Sequence, residues 1–324
     1  MADVSFDLPD RESLFGDGAR GSDRGQLLLV AGLVMAVSLV VLVVLLNSTI
    51  YSENVATRGI ESADGEAMEV RSTAVGGTGE LLDSTNRAGP SGHGDAETTV
   101  RAGVADLDEA LARSYAERGG VARVELVGTE NGSRIAAALA AADPSASTLA
   151  GDVDRTRGFA FAADPTGLTE TDAANADTDA FHVDLNASTG GSRQVYVYNG
   201  TDGNVTVAVG EDGGEPSVRC SVPPDDRVVV DFTAERLGDR PCPGIWPPAL
   251  VAPGDAYTVA LIDASEAAGE VTVTARPRSG DTVTTDLTAA RQPATYEATI
   301  NLRYRTADLR FETAVRVAPG EPDA

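Results

Sequence analysis

Hydrophobic positions along the chain follow three rhythms. The first is unbroken: Leu27 to Leu46 reads LLLVAGLVMAVSLVVLVVLL, twenty residues without a charge. At about 1.5 Å per residue such a run makes a helix of roughly 30 Å, the thickness of a hydrocarbon core, and predicts a transmembrane helix over 27–46. A cleavable signal sequence has a shorter apolar stretch that ends in small residues, whereas this one closes on Leu45-Leu46-Asn47-Ser48-Thr49. The second rhythm is helical. Val100, Val104, Leu107, Leu111 and Tyr115 recur every three or four residues, with Asp95 before them and Gly119-Gly120 after. This predicts an amphipathic helix that needs a surface to cover.

The third rhythm has period two and begins near Val121. Ala122, Val124 and Leu126 share one face of a strand, and Glu130-Asn131-Gly132-Ser133 reads as a turn. Residues 139–180 are dominated by Ala, Asp, Thr and Ser and predict a surface excursion holding a short strand at Phe159-Ala160-Phe161. Alternation then resumes at Phe181/Val183/Leu185, Val205/Val207/Val209, Val228/Val230/Phe232 and Val271/Val273/Ala275. The clearest pair is Tyr296 to Tyr304 with Leu309 to Val317, joined by Thr306-Ala307-Asp308. Half-buried alternation with short turns points to antiparallel sheet, most simply a sandwich or a sheet covered by the helix.

The resulting expectation is an α+β chain in five parts. A cytoplasmic leader (1–26) precedes the transmembrane helix (27–46). A helical stalk, a hinge and the amphipathic helix fill 47–120. An antiparallel, sandwich-like, extracellular β domain covers 121–318, and a tail covers 319–324. The stalk is read over 47–75, and the Gly-, Ser- and Pro-rich stretch 76–95 reads as the hinge.

Charge adds a setting. All 25 basic residues are arginine, lysine is absent, and 50 acids give a net charge of −25. In molar salt, like charges are screened within about 3 Å, so such a surface stays hydrated at little cost; a GC-rich genome would also favour arginine over lysine. So acidic a chain is a poor nucleic-acid partner. Arg20 and Arg24 precede the apolar run and the next basic residue is Arg58, which puts the N-terminus inside and the bulk of the chain outside. Asn-x-Ser/Thr sequons at Asn47, Asn131, Asn186, Asn199 and Asn204 all follow the run and are glycosylation candidates.

Candidate chemistry is sparse. Cys220 and Cys242 are the only cysteines; outside the cell an even count favours a disulfide, the alternative being two unpaired thiols. No CxxC accompanies them and there are only two histidines, so no metal site is expected. His93 and His182 lack a framing GxSxG or HExxH and read as solvated side chains. Without lysine there is no P-loop and no pyridoxal Schiff base, and no cofactor is expected. The aspartate pairs at 106/108, 152/154, 177/179 and 225/226 could hold calcium or act as glycosidase acids; among 30 aspartates they read as acidic surface. Trp246, in Pro243-Gly244-Ile245-Trp246-Pro247-Pro248, could stack on a ligand or pack beside the disulfide.

Asp23-Arg24-Gly25-Gln26 directly before the apolar run resembles the cleavage site of archaeal type IV pilin-like precursors. The resemblance implies a cut between Gly25 and Gln26, although those precursors often carry glutamate where this chain has Val30. The Arg-Gly-Gln-Leu-Leu-Leu start, Ile50 to Arg58, Gly132 to Ala136, the cysteine pair and the closing Tyr304-Arg305-Thr306 and Val317-Ala318-Pro319-Gly320 together resemble an uncharacterised family of haloarchaeal single-pass membrane proteins. The expected function is that of a non-enzymatic cell-surface protein for assembly or adhesion. Its partners would be the lipid bilayer, other pilin-like subunits or surface-layer components. The alternative is a polysaccharide- or metal-binding module on a plain anchor.

Overall fold

The structure is a computed structural model that describes residues 35, 38, 39, 42, 43, 65–251 and 254–322. The chain divides into two units, Met1–Gly65 and Glu66–Ala324. In the first, Met35, Ser38, Leu39, Leu42 and Val43 are helical and exposed. The rest of the run 27–46, the leader 1–26 and residues 47–64 of the expected stalk lie outside the described residues.

Two helices open the second unit: α1 over 65–88 and α2 over His93–Ala116. Then come β1 Val121–Ala138, β2 Ala146–Asp164, β3 Glu170–Thr171, a short α3 Ala176–Asp179, β4 Phe181–Ala187, β5 Ser192–Gly200 and β6 Val205–Glu211. The remaining strands are β7 Ser217–Val222, β8 Val228–Asp231, β9 Arg236–Leu237, β10 Arg240–Pro241, β11 Tyr257–Ile262, β12 Ala268–Pro277, β13 Arg291–Arg305 and β14 Arg310–Val317. All fourteen join one sheet in the order β14-β13-β1-β12-β2-β11-β4-β5-β6-β7, with β8 on β2, β9 between β8 and β10, and β3 on β5. Only the β3–β5 pair is parallel among the described strands.

The sheet buries its apolar side chains in two ways. At the β14–β13–β1 end, α1 and α2 cover one face. Val70, Ala74 and Leu82 of α1 and Val100, Val104, Leu111 and Tyr115 of α2 pack on Val124, Ile300, Leu302, Tyr304 and Val315. The helices approach so closely that a Cβ on Gly103 would lie 2.5 Å from Leu81 Cδ1, and one on Gly77 would lie 3.2 Å from Leu107. Helix α2 stops where Gly119 takes φ +81° and the Gly120 N–H bonds to Tyr115 O at 2.9 Å, a left-handed cap that a residue with a Cβ adopts only at a cost.

Beyond β12 the sheet curls until it meets itself. Strand β2 pairs with β11 through its first half and with β8 near its end. The path β2–β11–β4–β5–β6–β7 therefore returns through β9 and β8 to β2. Hydrogen bonds link every step of this ring except β7 to β9. There Cys220 on β7 is bonded to Cys242, just past β10, with Cα atoms 5.5 Å apart. Inside lie Phe159, Phe161, Phe181, Val195, Val207, Val230 and Val259, all fully buried. Each such side chain contributes about 1.5–3 kcal/mol of burial.

Several expectations are corrected. The class is mostly antiparallel β rather than α+β, and among the described residues no helix is long and apolar enough to cross a membrane. One curled sheet replaces the two-sheet sandwich. Residues 65–75 are helical, as the stalk reading has them, but pack on the sheet through Val70 and Ala74, and most of the 76–95 hinge is helix too, since α1 runs to residue 88. Of the glycines read as loop residues, Gly77 is the one that lets the helices touch, at Leu107. The turn at 130–133 is instead continuous β1 with a register shift between Glu130 and Asn131, where Gly132 admits the Ala275 carbonyl and Tyr296. The surface excursion at 139–180 contains the 19-residue strand β2.

Candidate functional site

The strongest concentration of chemistry lies where β2 crosses from the ring to the helix-covered part. Arg157 on β2 is 2% exposed. Its Nε donates to Tyr296 O at 2.7 Å, Nη2 to Thr295 O at 3.1 Å, and Nη1 to Asp83 Oδ1 at 2.7 Å and Pro319 O at 3.1 Å. The guanidinium carbon also sits 5.8 Å from the centre of the Tyr296 ring. One side chain thus ties together α1, β13 and the C-terminal tail. The tail is pinned again where Gly158 N donates to Gly320 O at 3.0 Å. Asn86 on α1 adds a further tie, exchanging two 2.9 Å hydrogen bonds with the Thr295 backbone.

Around this clasp runs a closed circuit of three acids and three arginines. Asp154 holds Arg276, and Arg276 lies 3.6 Å from Glu297. Glu297 holds Arg316, Arg316 reaches Glu321 at 2.5 Å, and Glu321 reaches Arg155 at 3.2 Å. Arg155 closes the loop 4.0 Å from Asp154. Burial pushes the Asp154 carboxyl up, but Arg276 and the Gly254 N–H outweigh it and hold the group below the usual carboxylate range. Burial likewise disfavours the charge on Arg316, and Glu297 with Glu321 overcome it. Beneath the circuit burial raises the pKa of Tyr257 and Tyr296. Tyr257 donates to Thr156 Oγ1 at 2.6 Å.

A cleft of about 570 Å³ opens beside the tail, lined by Thr233, Glu235, Trp246, Pro248, Gly320 and Glu321. Its carboxylates are engaged: Glu235 Oε1 accepts from Gly244 N at 2.7 Å and Trp246 N at 3.2 Å, and Glu321 is held by two arginines. Trp246 is 5% exposed, so its ring packs in the ring core and presents no stacking platform.

The residues singled out in the sequence are scattered. Gly25, Gln26 and Asn47 lie outside the described residues. Cys220 and Cys242 form the disulfide. Asn186 is exposed at the end of β4; Asn131, Asn199 and Asn204 are half-buried, with Asn131 donating to Asp281 and Asn204 to Asp202. His93 is not simply solvated, since its Nε2 lies 2.9 Å from Gly132 O. His182 is buried against the Tyr196 ring, and desolvation holds its pKa below the ordinary value. Of the paired aspartates, Asp108 and Asp154 are occupied by arginines, and among the described residues no group of three ligating side chains could hold a metal. Arg157, Asp83, Asn86, Glu297 and Glu321 carry no motif; the alternating charges of Asp154-Arg155-Thr156-Arg157 are the one local hint.

A family of unknown function (DUF7261) matches residues 21–193, a span that takes in α1 and α2 and reaches into β5. No curated protein and no solved structure matches the chain.

Proposed function

We propose that this chain, which belongs to the DUF7261 family, is a non-enzymatic, membrane-anchored cell-surface protein of a salt-loving archaeon, pilin-like in its N-terminal segment and serving surface assembly or adhesion. The observation that carries this reading is the state of the apolar run. Met35, Leu39, Leu42 and Val43 are helical and 72%, 59%, 53% and 62% exposed. Apolar side chains so placed call for lipid or for the same segment of other copies. The clasp supports a role under tension: it fastens α1 to the sheet and the tail. The buried Trp246 and the hydrogen-bonded Glu235 and Glu321 speak against a polysaccharide or metal module at the cleft beside the tail.

The test is fractionation of native membranes followed by mass spectrometry of the N-terminus. The chain should stay with membranes after a carbonate wash and be released when residues 27–46 are deleted. A mature chain starting at Gln26 supports the pilin-like class. An intact leader leaves a plain anchor, and full-length chain in the soluble fraction removes the anchor altogether.

A further inference from the structure

Four Asn-x-Ser/Thr sequons lie among the described residues, at Asn131, Asn186, Asn199 and Asn204, and the fold treats them differently. Sugar transfer to a folded chain needs the carboxamide nitrogen and the hydroxyl two residues on to be within reach together, and the bulky glycan must then stay in water. Three of the four fail on one count or the other. Ser133, the hydroxyl partner of Asn131, is fully buried, and its Oγ accepts from Val283 N at 3.2 Å. Thr206, the partner of Asn204, is 5% exposed, and its Oγ1 donates back to Asn204 O at 3.3 Å. Thr201 is exposed, but Asn199 keeps its carboxamide oxygen buried without a partner. A glycan on the adjoining nitrogen would enter packed protein and strip water from its own hydroxyls.

Asn186-Ala187-Ser188 passes on both. Val183 and Leu185 of β4 are fully buried in the ring, so Asn186, one step on, points to the outer face. Asn186 and Ser188 are exposed, as are Thr189 and Gly190 after them. Strand β4 ends at Ala187, and the chain turns into β5 through Gly190 and Gly191 at φ +101° and +95°. Asn186 Nδ2 donates one hydrogen to Asp184 Oδ2 at 2.8 Å, which leaves its other hydrogen for substitution. Resting on the cell-surface reading above, we propose that Asn186 is the N-glycosylation site of the folded body, its sugar donor a lipid-linked glycosyl phosphate. Nδ2 attacks the anomeric carbon and a C–N bond forms. The C–O bond to the phosphate breaks, its electron pair leaves with the phosphate, and the displaced Nδ2 proton passes to a base of the transferring enzyme. The N–H that remains keeps its bond to Asp184, so the end of β4 is left as it was.

The full chain is purified from native cells, and its peptides are mapped by mass spectrometry with fragmentation that leaves sugars attached. The peptide holding Asn186 should gain the mass of one or more sugar units, while Asn131, Asn199 and Asn204 stay unmodified. Asn186→Gln and Ser188→Ala should each abolish the gain, and Ser188→Thr should keep it. Antibody labelling of intact against permeabilised cells reads the placement of the body separately. Bare Asn186 on a body labelled in intact cells overturns this proposal and leaves the cell-surface reading standing. Bare Asn186 on a body labelled only after permeabilisation overturns both. Sugar on Asn131, Asn199 or Asn204 overturns the choice of Asn186 by exposure. A gain that survives Ser188→Ala overturns it as well, because the sequon hydroxyl would then play no part.

Discussion

The helix-covered end of the sheet and the strand ring solve the same problem, an apolar face in water, with different partners. At the helix end the cover is local in sequence: α1 and α2 precede β1 directly and supply a stripe of side chains at helical spacing. In the ring the cover for each strand is another strand far along the chain, as when Phe161 on β2 meets Phe181 on β4 with ring centres 4.9 Å apart. The helix end is therefore held by packing of preformed elements, whereas the ring holds only when all its members are in place. Arg157 sits at the join.

Removing the join tests the division most severely. Arg157→Ala leaves Tyr296 O and Pro319 O without this charged donor, while Thr295 O keeps Asn86, and each such loss costs about 1.5–3 kcal/mol. Chemical denaturation followed by Trp246 fluorescence, which reports the ring, and by helical circular dichroism should shift at both probes. A shift at one probe alone would show that the two parts are not coupled there. Replacing Cys220 and Cys242 together by serine should cost about 3 kcal/mol, the entropy of a loop of 22 residues, and should move the Trp246 transition ahead of the helical one. Gly103→Leu should do the reverse, forcing α2 off Leu81 at a cost of about 1–3 kcal/mol and moving the helical transition first. The smallest effect is one of pH. His182 is held neutral by burial, so its folded pKa is depressed. Its contribution is intact above the ordinary value of about 6.5 and is lost as pH falls toward the folded pKa, because only the unfolded chain takes up the proton. The Trp246 midpoint should drop between pH 7.5 and 5.5, and His182→Leu should flatten that slope. Asp154 loses its own contribution only below about pH 4, as the carboxyl protonates.

The same contrast decides what could be read from the sequence. Helix α2 and the β13–β14 hairpin were legible because each carries its own period and its own stop signal: Gly119-Gly120 for one, Thr306-Ala307-Asp308 for the other. Strand β2 was not. Its buried positions include Asp154, Thr156 and Arg157, whose partners Arg276, Tyr257 and Tyr296 lie more than a hundred residues away, so no local window shows why they are inside. Helix α1 failed for a related reason. Gly76, Gly77 and Gly79 read as breakers by propensity, but Gly77 is needed for contact with Leu107. The disulfide was foreseeable from the even cysteine count and the expected compartment; that it spans the one seam of the ring without hydrogen bonds was not.

That seam has a mechanical meaning. An edge strand joined to its neighbours on one side only peels away under tension one hydrogen bond at a time, and β7 is such a strand, bonded to β6 alone. With Cys220 and Cys242 joined, β7 stays tethered to the chain just past the β9–β10 hairpin even where no hydrogen bond holds it. A pull on the ring is then shared among ladders loaded along their length, where many hydrogen bonds must give way at once. A body tethered at a cell surface and tugged by flow or by a neighbour would hold its shape up to the strength of those ladders, and a reducing agent would lower that limit.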